Sequence, residues 1–188
     1  YDLTELQRDA NKRYGFSAKE TLNIMQRLYE HHKVLTYPRT DSRYIGSDIV
    51  PTIKERLKAC NIGPYKAYIP ALLKAPICTS KAFVDDKKVS DHHAIIPTEE
   101  YVQLDHMSNE ERKIYDLVVR RFIGVLYPAY EYEQTTMKAA VQTSAKPSVA
   151  TAVYGAKGQI VLKEGWKAVY DNMSLDEEED DKSGDQLR

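Results

Sequence analysis

The sequence has few cysteines, no long apolar run and no excess of one charge sign. Its two cysteines, Cys60 and Cys78, are too few for a disulfide framework and lack the second pair that a structural zinc site needs. Two idle thiols in a reducing compartment are expected. No apolar stretch approaches the ~18 residues that suggest a bilayer span, and no signal-peptide pattern opens the chain. A cytoplasmic protein, neither membrane-spanning nor secreted, is the expectation. The chain starts at Tyr1 without a methionine, which leaves a piece of a longer polypeptide open as a reading.

What is present is an ordinary globular composition, 42% hydrophobic and 29% charged, in 188 residues. That length suits one domain, or one plus part of a second. The formal net charge of −1 argues against a nucleic-acid partner only when taken as a bulk value. Residues 175–188 hold seven acids and two bases; without them, 25 bases face 21 acids. The body is mildly basic and residues 173–188 read as an acidic linker or tail.

Leu3, Leu6, Ala10 and Tyr14 predict an amphipathic helix ending near Gly15. Ser17-Ala18-Lys19-Glu20 is a capping box that opens a second helix, with an apolar stripe of Leu22, Met25, Leu28 and Tyr29. It ends near His31-His32, read as a solvated pair. Val34–Tyr37 reads as a short strand halted by Pro38. A third helix is expected from Ser47 to Cys60, with Pro51 in its first turn. Short helices and loops follow over 61–80, then a long loop from Lys81 to Thr98. Ser108-Asn109-Glu110-Glu111 caps a fourth, long helix that stops before Pro128. Strands are predicted at Thr135–Thr143, Val149–Ala156 and Gln159–Leu162, with a turn at Ala145-Lys146-Pro147 and glycines at 155, 158 and 165 as punctuation. The fold class is α+β: a helical domain over 1–130, a β-rich segment over 131–172 and the acidic tail.

The chemistry centres on Leu35-Thr36-Tyr37-Pro38-Arg39-Thr40-Asp41-Ser42. Reversible DNA breakage needs a side-chain oxygen that stores the bond as a covalent ester. A phenol suits it, being a tolerable leaving group for religation, but its ordinary pKa of about 10 calls for a nearby cation. In an extended segment Tyr37 and Arg39 would point to one side, toward one phosphate. Thr40 and Ser42 can then donate to neighbouring phosphates, and Asp41 can orient Arg39 or a metal-bound water. Lys33, Arg43 and Lys81 add positive charge near the motifs, as do Lys87-Lys88. Against this, the chain has 14 tyrosines, most of which must serve packing.

The run Val34 through Tyr44 resembles the active-site segment of type IA DNA topoisomerases. So does the helix before it, Gly15-Phe16-Ser17-Ala18-Lys19 through Leu28-Tyr29-Glu30. Ser90-Asp91-His92-His93-Ala94-Ile95-Ile96-Pro97-Thr98 is similar to that family's second active-site motif. Pro38 and the doubled histidine are closer to its bacterial topoisomerase III branch. The segment Val153–Tyr170 resembles strands in the arch of the family's toroid. The resemblance implies that Tyr37 forms a 5′-phosphotyrosyl link to one DNA strand, and that Arg39 contacts the scissile phosphate. His92 would lie near that phosphate, as donor or proton carrier.

The family's magnesium site, with its glutamate and Asp-x-Asp acids, has no match here. Mg2+ is therefore expected in the full-length enzyme, on residues absent from this chain, and no metal ligands are assigned. The expected partners are DNA, single-stranded at the cleavage site, and the remainder of the same polypeptide. The isolated chain is expected to be inactive in relaxation. Two other readings remain at this point: a non-catalytic single-stranded-DNA clamp that retains the motif, and a tyrosine integrase or relaxing nuclease. The last would bring several arginines or a metal-binding histidine cluster, and neither pattern is seen.

Overall fold

A computed structural model describes residues 1–142 and 151–170. The acidic tail and the turn at Ala145-Lys146-Pro147 lie outside the described residues. The chain divides into two compact units. One holds Tyr1–Tyr127 and the described end of the chain from Val169; the other is Pro128–Ala168.

The first unit is helical. Helix α1 (Leu3–Tyr14) starts where the Asp2 carboxylate accepts from the Glu5 N–H, and Gly15 closes it at φ 70°. Helix α2 (Ala18–Glu30) carries the complete Ser17/Glu20 capping box. Its core side is Thr21, Ile24, Met25 and Leu28. Tyr29, expected in the apolar stripe, instead faces outward and is 37% exposed. A short 3-10 turn (Val50–Thr52) leads into α3 (Ile53–Ala59), so the third helix is shorter than the sequence suggests. Helix α4 (Ile69–Lys74) follows after a 3-10 turn at Gly63–Ala67. Helix α5 (Asn109–Leu126), opened by the Ser108/Glu111 capping box, is the central element. Ile114, Leu117, Val118, Phe122 and Ile123 bury its inner face, and α1 and α2 pack against it. Val169 and Tyr170, which the sequence places with the β-rich segment, pack in this unit. Val169 is fully buried and its carbonyl accepts from Arg120 on α5.

Glu111 does more than cap α5. Its carboxylate also accepts from Arg27 Nε at 2.8 Å and lies 3.2 Å from His32 Nε2. The end of α2 is thereby tied to the start of α5. His31 is exposed as expected, whereas His32 is half-buried against Glu111.

The expected strand at Val34–Tyr37 is absent; only an isolated antiparallel bridge, Leu35 with Pro97, forms there. The ladder stops because its next donors are used elsewhere: Val34 N–H goes to the Leu28 carbonyl and Ile96 N–H to the Thr36 hydroxyl, and the chain bends at Pro38. The long loop predicted over 81–98 is a loop with one 3-10 turn at Asp86–Lys88.

The second unit is a two-stranded antiparallel ribbon of β1 (Glu131–Gln142) and β2 (Thr151–Lys163). The two strands predicted over 149–162 are one. Gly155 and Gly158 pair with Lys138 and Thr135 instead of breaking it. Alternation puts Met137, Val141, Tyr154 and Ile160 on one face and Gln134, Lys138, Lys157 and Gln159 on the other. At its base Gly165, with φ 49°, lets the chain approach closely. A Cβ there would come within 2.3 Å of the Ala129 carbonyl oxygen.

Candidate active site

Two segments far apart in sequence meet at the end of α2. The reversal between them begins at Lys33, the one non-glycine residue with positive φ (57°) among the described residues. That conformation is held from both sides. The Thr98 hydroxyl donates to the Lys33 carbonyl at 2.6 Å, and Val34 N–H returns to the Leu28 carbonyl. Residues 34–36 then run beside 96–98. Thr36 N–H donates to the Ile96 carbonyl, Thr98 N–H to the Val34 carbonyl, and Ile96 N–H to the Thr36 hydroxyl, all at 3.0 Å. The apolar residues of both segments, Val34, Leu35, Ala94, Ile95 and Ile96, are in the core. Burying them leaves the polar residues on either side at the surface.

Tyr37 and His92 are brought together by this pairing. Their ring centroids are 4.3 Å apart at 35°. Tyr29 meets the Tyr37 ring edge-on, at 5.6 Å and 82°. Tyr37 is half-buried and His92 exposed. Neither the Tyr37 hydroxyl nor the His92 ring is hydrogen-bonded to another described residue. Tyr37 lines two open clefts. One, of about 230 Å3, is completed by Thr36, Gly46, Asp48, Val89, Asp91, His92 and His93. The other, of about 550 Å3, is lined by Tyr29, Glu30, Lys33, Leu35, Thr36 and Thr98. Of the histidine pair, His93 is committed: its Nδ1 donates to the Ala94 carbonyl at 2.7 Å.

Arg39 is exposed and makes no ion pair or hydrogen bond with the described residues. It lines neither cleft. Residues 37 and 39 would share a side only in an extended strand. The chain instead turns tightly here, with Thr40 N–H donating to the Pro38 carbonyl at 3.1 Å. The guanidinium is free, but the extended-chain reason for pairing it with the phenol is lost.

Thr40 and Ser42 are buried rather than offered to a ligand. The Thr40 hydroxyl donates to the His92 carbonyl at 3.0 Å and accepts from Ser42 N–H. The Ser42 hydroxyl donates to the Lys88 carbonyl at 2.8 Å. Both stitch the tyrosine segment to the histidine loop, so direct phosphate donation from these groups is not what the geometry provides. Asp41 accepts from the Ser90 hydroxyl at 3.3 Å, not from Arg39. Arg43 is paired with Asp2 at 2.7 Å and Glu5 at 3.4 Å. Burial alone would raise the Asp2 carboxyl, but the Glu5 N–H and the Arg43 guanidinium outweigh it and hold it below the usual range. Lys33 and Lys81 are exposed, and their ammonium groups have no partner among the described residues. Lys81 adjoins Ala82 and Phe83, which line a separate cleft of about 300 Å3 with Arg43 and Arg121. Lys88 donates to the Tyr44 hydroxyl at 3.1 Å.

Sequence reasoning missed Arg56. It is buried on α3, donates to the Pro97 carbonyl at 2.8 Å and pairs with Glu99. It thus braces the histidine segment from behind, opposite Leu35. Nothing local in the sequence signals this, because the partner lies 41 residues away. Among the described residues no group of three or more His, Cys, Asp or Glu could hold a metal ion. No set of acids among the described residues therefore fits a magnesium site.

The sequence that builds this scaffold and contact matches a known family. The family model for DNA topoisomerase matches residues 1–188, and the chain belongs to that family. Curated relatives bearing the name DNA topoisomerase 3 are similar throughout. The Bacillus cereus protein is 58% identical over 187 residues, all of this chain and 25% of its own length. That of Bacillus subtilis is 54% identical over 181 residues, 96% of this chain and 24% of its own length. The chain therefore spans about a quarter of the length of the curated relatives it matches.

Proposed function

We propose that this chain carries the tyrosine half of a type IA topoisomerase active site, with Tyr37 as the nucleophile. The observation that carries the reading is the free Tyr37 hydroxyl, its ring stacked on His92 at the meeting of two open clefts. In the proposed step the Tyr37 oxygen attacks a backbone phosphorus of single-stranded DNA. The O–P bond forms as the P–O3′ bond breaks. The phenol gives up its proton and the leaving 3′ oxygen takes one, which yields a 5′-phosphotyrosyl ester and a 3′-hydroxyl. Religation is the reverse. Strand passage between the two steps changes DNA topology.

His92 is assigned to the phosphate as donor or proton carrier. Arg39, with an uncommitted guanidinium two residues from Tyr37, is assigned to phosphate binding through motion of its long side chain. Lys33 and Lys81 are assigned to DNA backbone contact. Thr40, Asp41, Ser42 and Arg43 are assigned to holding the segment in place. Magnesium, where the full-length enzyme uses it, would be held by residues outside this chain. The protein is placed in the bacterial cytoplasm, on the nucleoid. No described helix is long and apolar enough to cross a membrane.

The test is to denature the full-length protein on single-stranded DNA and map any adduct. A 5′-phosphate on Tyr37 supports the reading. No adduct supports a DNA clamp that retains the motif, and a 3′ link supports integrase-type chemistry.

A further inference from the structure

Tyr29 has no evident folding role. The inner side of α2 is filled by Thr21, Ile24, Met25 and Leu28, each at most 5% exposed. Tyr29 lies on the outer side, 37% exposed, and its hydroxyl is hydrogen-bonded to no described residue. A solvent-facing helix position usually carries a polar residue. What this ring does touch is Tyr37, edge-on at 5.6 Å and 82°, an orientation that aromatic quadrupoles favour. His92 stacks against the same ring at 4.3 Å. The Tyr37 hydroxyl has no hydrogen bond to set its direction. Its ring is therefore oriented by these two neighbours, and of the two His92 stands on an exposed loop. Tyr29 stands on a regular helix whose end is fixed. Val34 N–H closes onto the Leu28 carbonyl, and Arg27 and His32 are tied to Glu111 on α5.

We infer that Tyr29 is a positioning residue for the reaction of Tyr37. It acts as a rigid edge that keeps the phenol pointed at the clefts. This rests on the reading of Tyr37 as nucleophile. Orientation matters because a misplacement of about 1 Å at a reacting group can cost on the order of 100-fold in rate. Only the ring edge is needed, not the Tyr29 hydroxyl.

The experiment uses full-length protein and single-turnover covalent-adduct formation on single-stranded DNA, with DNA affinity measured separately. Tyr29→Ala is expected to slow adduct formation at saturating DNA by about 10- to 100-fold and to leave Kd within about twofold. Tyr29→Phe is expected to restore the wild-type rate. Should Tyr29→Ala fail to fold, Tyr29→Leu, which keeps bulk without an aromatic edge, decides by the same two measurements. A wild-type cleavage rate overturns the inference. So does a weakened Kd with an unchanged saturated rate, which would make Tyr29 a base-stacking contact. Equal slowing in Tyr29→Phe also overturns it, because the hydroxyl would then be the active part. Tyr37→Phe run in parallel separates the two levels: an adduct surviving that change sinks the nucleophile assignment, whatever Tyr29 does.

Discussion

At the scale of single residues, environment separates groups of the same type. Cys60, which caps the end of α3, is fully buried and Cys78 is exposed. Burial pushes the Cys60 thiol up to about 12, so almost none of it is thiolate at neutral pH. A thiol reagent applied to the native protein should modify Cys78 rapidly and Cys60 only after denaturant; mass spectrometry of the labelled peptides reads the difference. Glu111 shows the opposite balance. Burial alone would raise its carboxyl, yet the hydrogen bonds from Arg27 and Ser108, with His32, outweigh it and hold it low. A carboxyl depressed in the folded state stabilises above its unfolded pKa of about 4.3, and that gain is lost as pH falls through the folded value. Thermal melts of wild type and Glu111→Gln should differ at pH 7 and converge as pH falls through the depressed value of the Glu111 carboxyl. A gap that persists in acid would show that shape, not charge, is what Glu111 supplies.

At the scale of elements, the site depends on a short pairing of two loops rather than on a sheet. Leu35 is fully buried at the centre of that pairing. Leu35→Ala should cost about 2–5 kcal/mol by the usual cavity penalty. Arg56→Met should cost about 1–3 kcal/mol, because the Pro97 carbonyl loses its buried donor. Denaturant melts check both. What was legible in the sequence divides along the same line. The capping boxes at Ser17 and Ser108 and the αL cap at Gly15 were readable because their partners lie within a turn of the chain. The strand at 34–37 was misread because Val34 N–H turns back to Leu28 and Ile96, some 60 residues on, bonds the Thr36 hydroxyl instead of its carbonyl. The glycines at 155 and 158 were misread as breaks because cross-strand hydrogen bonds do not need a side chain. Family resemblance assigned Tyr37 and His92 to one phosphate, but the contact between their rings was not read from the sequence. The inward turn of Thr40 and Ser42, and the role of Arg56, depend on non-local partners that no spacing rule shows.

At the scale of the whole molecule, the chain holds the proposed nucleophile and its aromatic neighbours, without a cluster of acids for a metal among the described residues. Its length is about a quarter of that of its curated relatives. The 188-residue chain alone is accordingly expected not to relax supercoiled plasmid, with or without magnesium. Gel mobility of the plasmid checks this, and robust magnesium-dependent relaxation would refute it. Whatever DNA it holds by itself should be held weakly and released by salt, because few phosphates can be neutralised by the free Arg39, Lys33 and Lys81.

The account turns on Tyr37. The decisive measurement is the mapped covalent adduct of the full-length protein on single-stranded DNA, in wild type and in Tyr37→Phe. The account predicts a 5′-phosphate ester on the Tyr37 oxygen in the first. In the second it predicts no adduct, with DNA affinity nearly unchanged. An adduct on another residue, a 3′ linkage, or an adduct that survives Tyr37→Phe would contradict it.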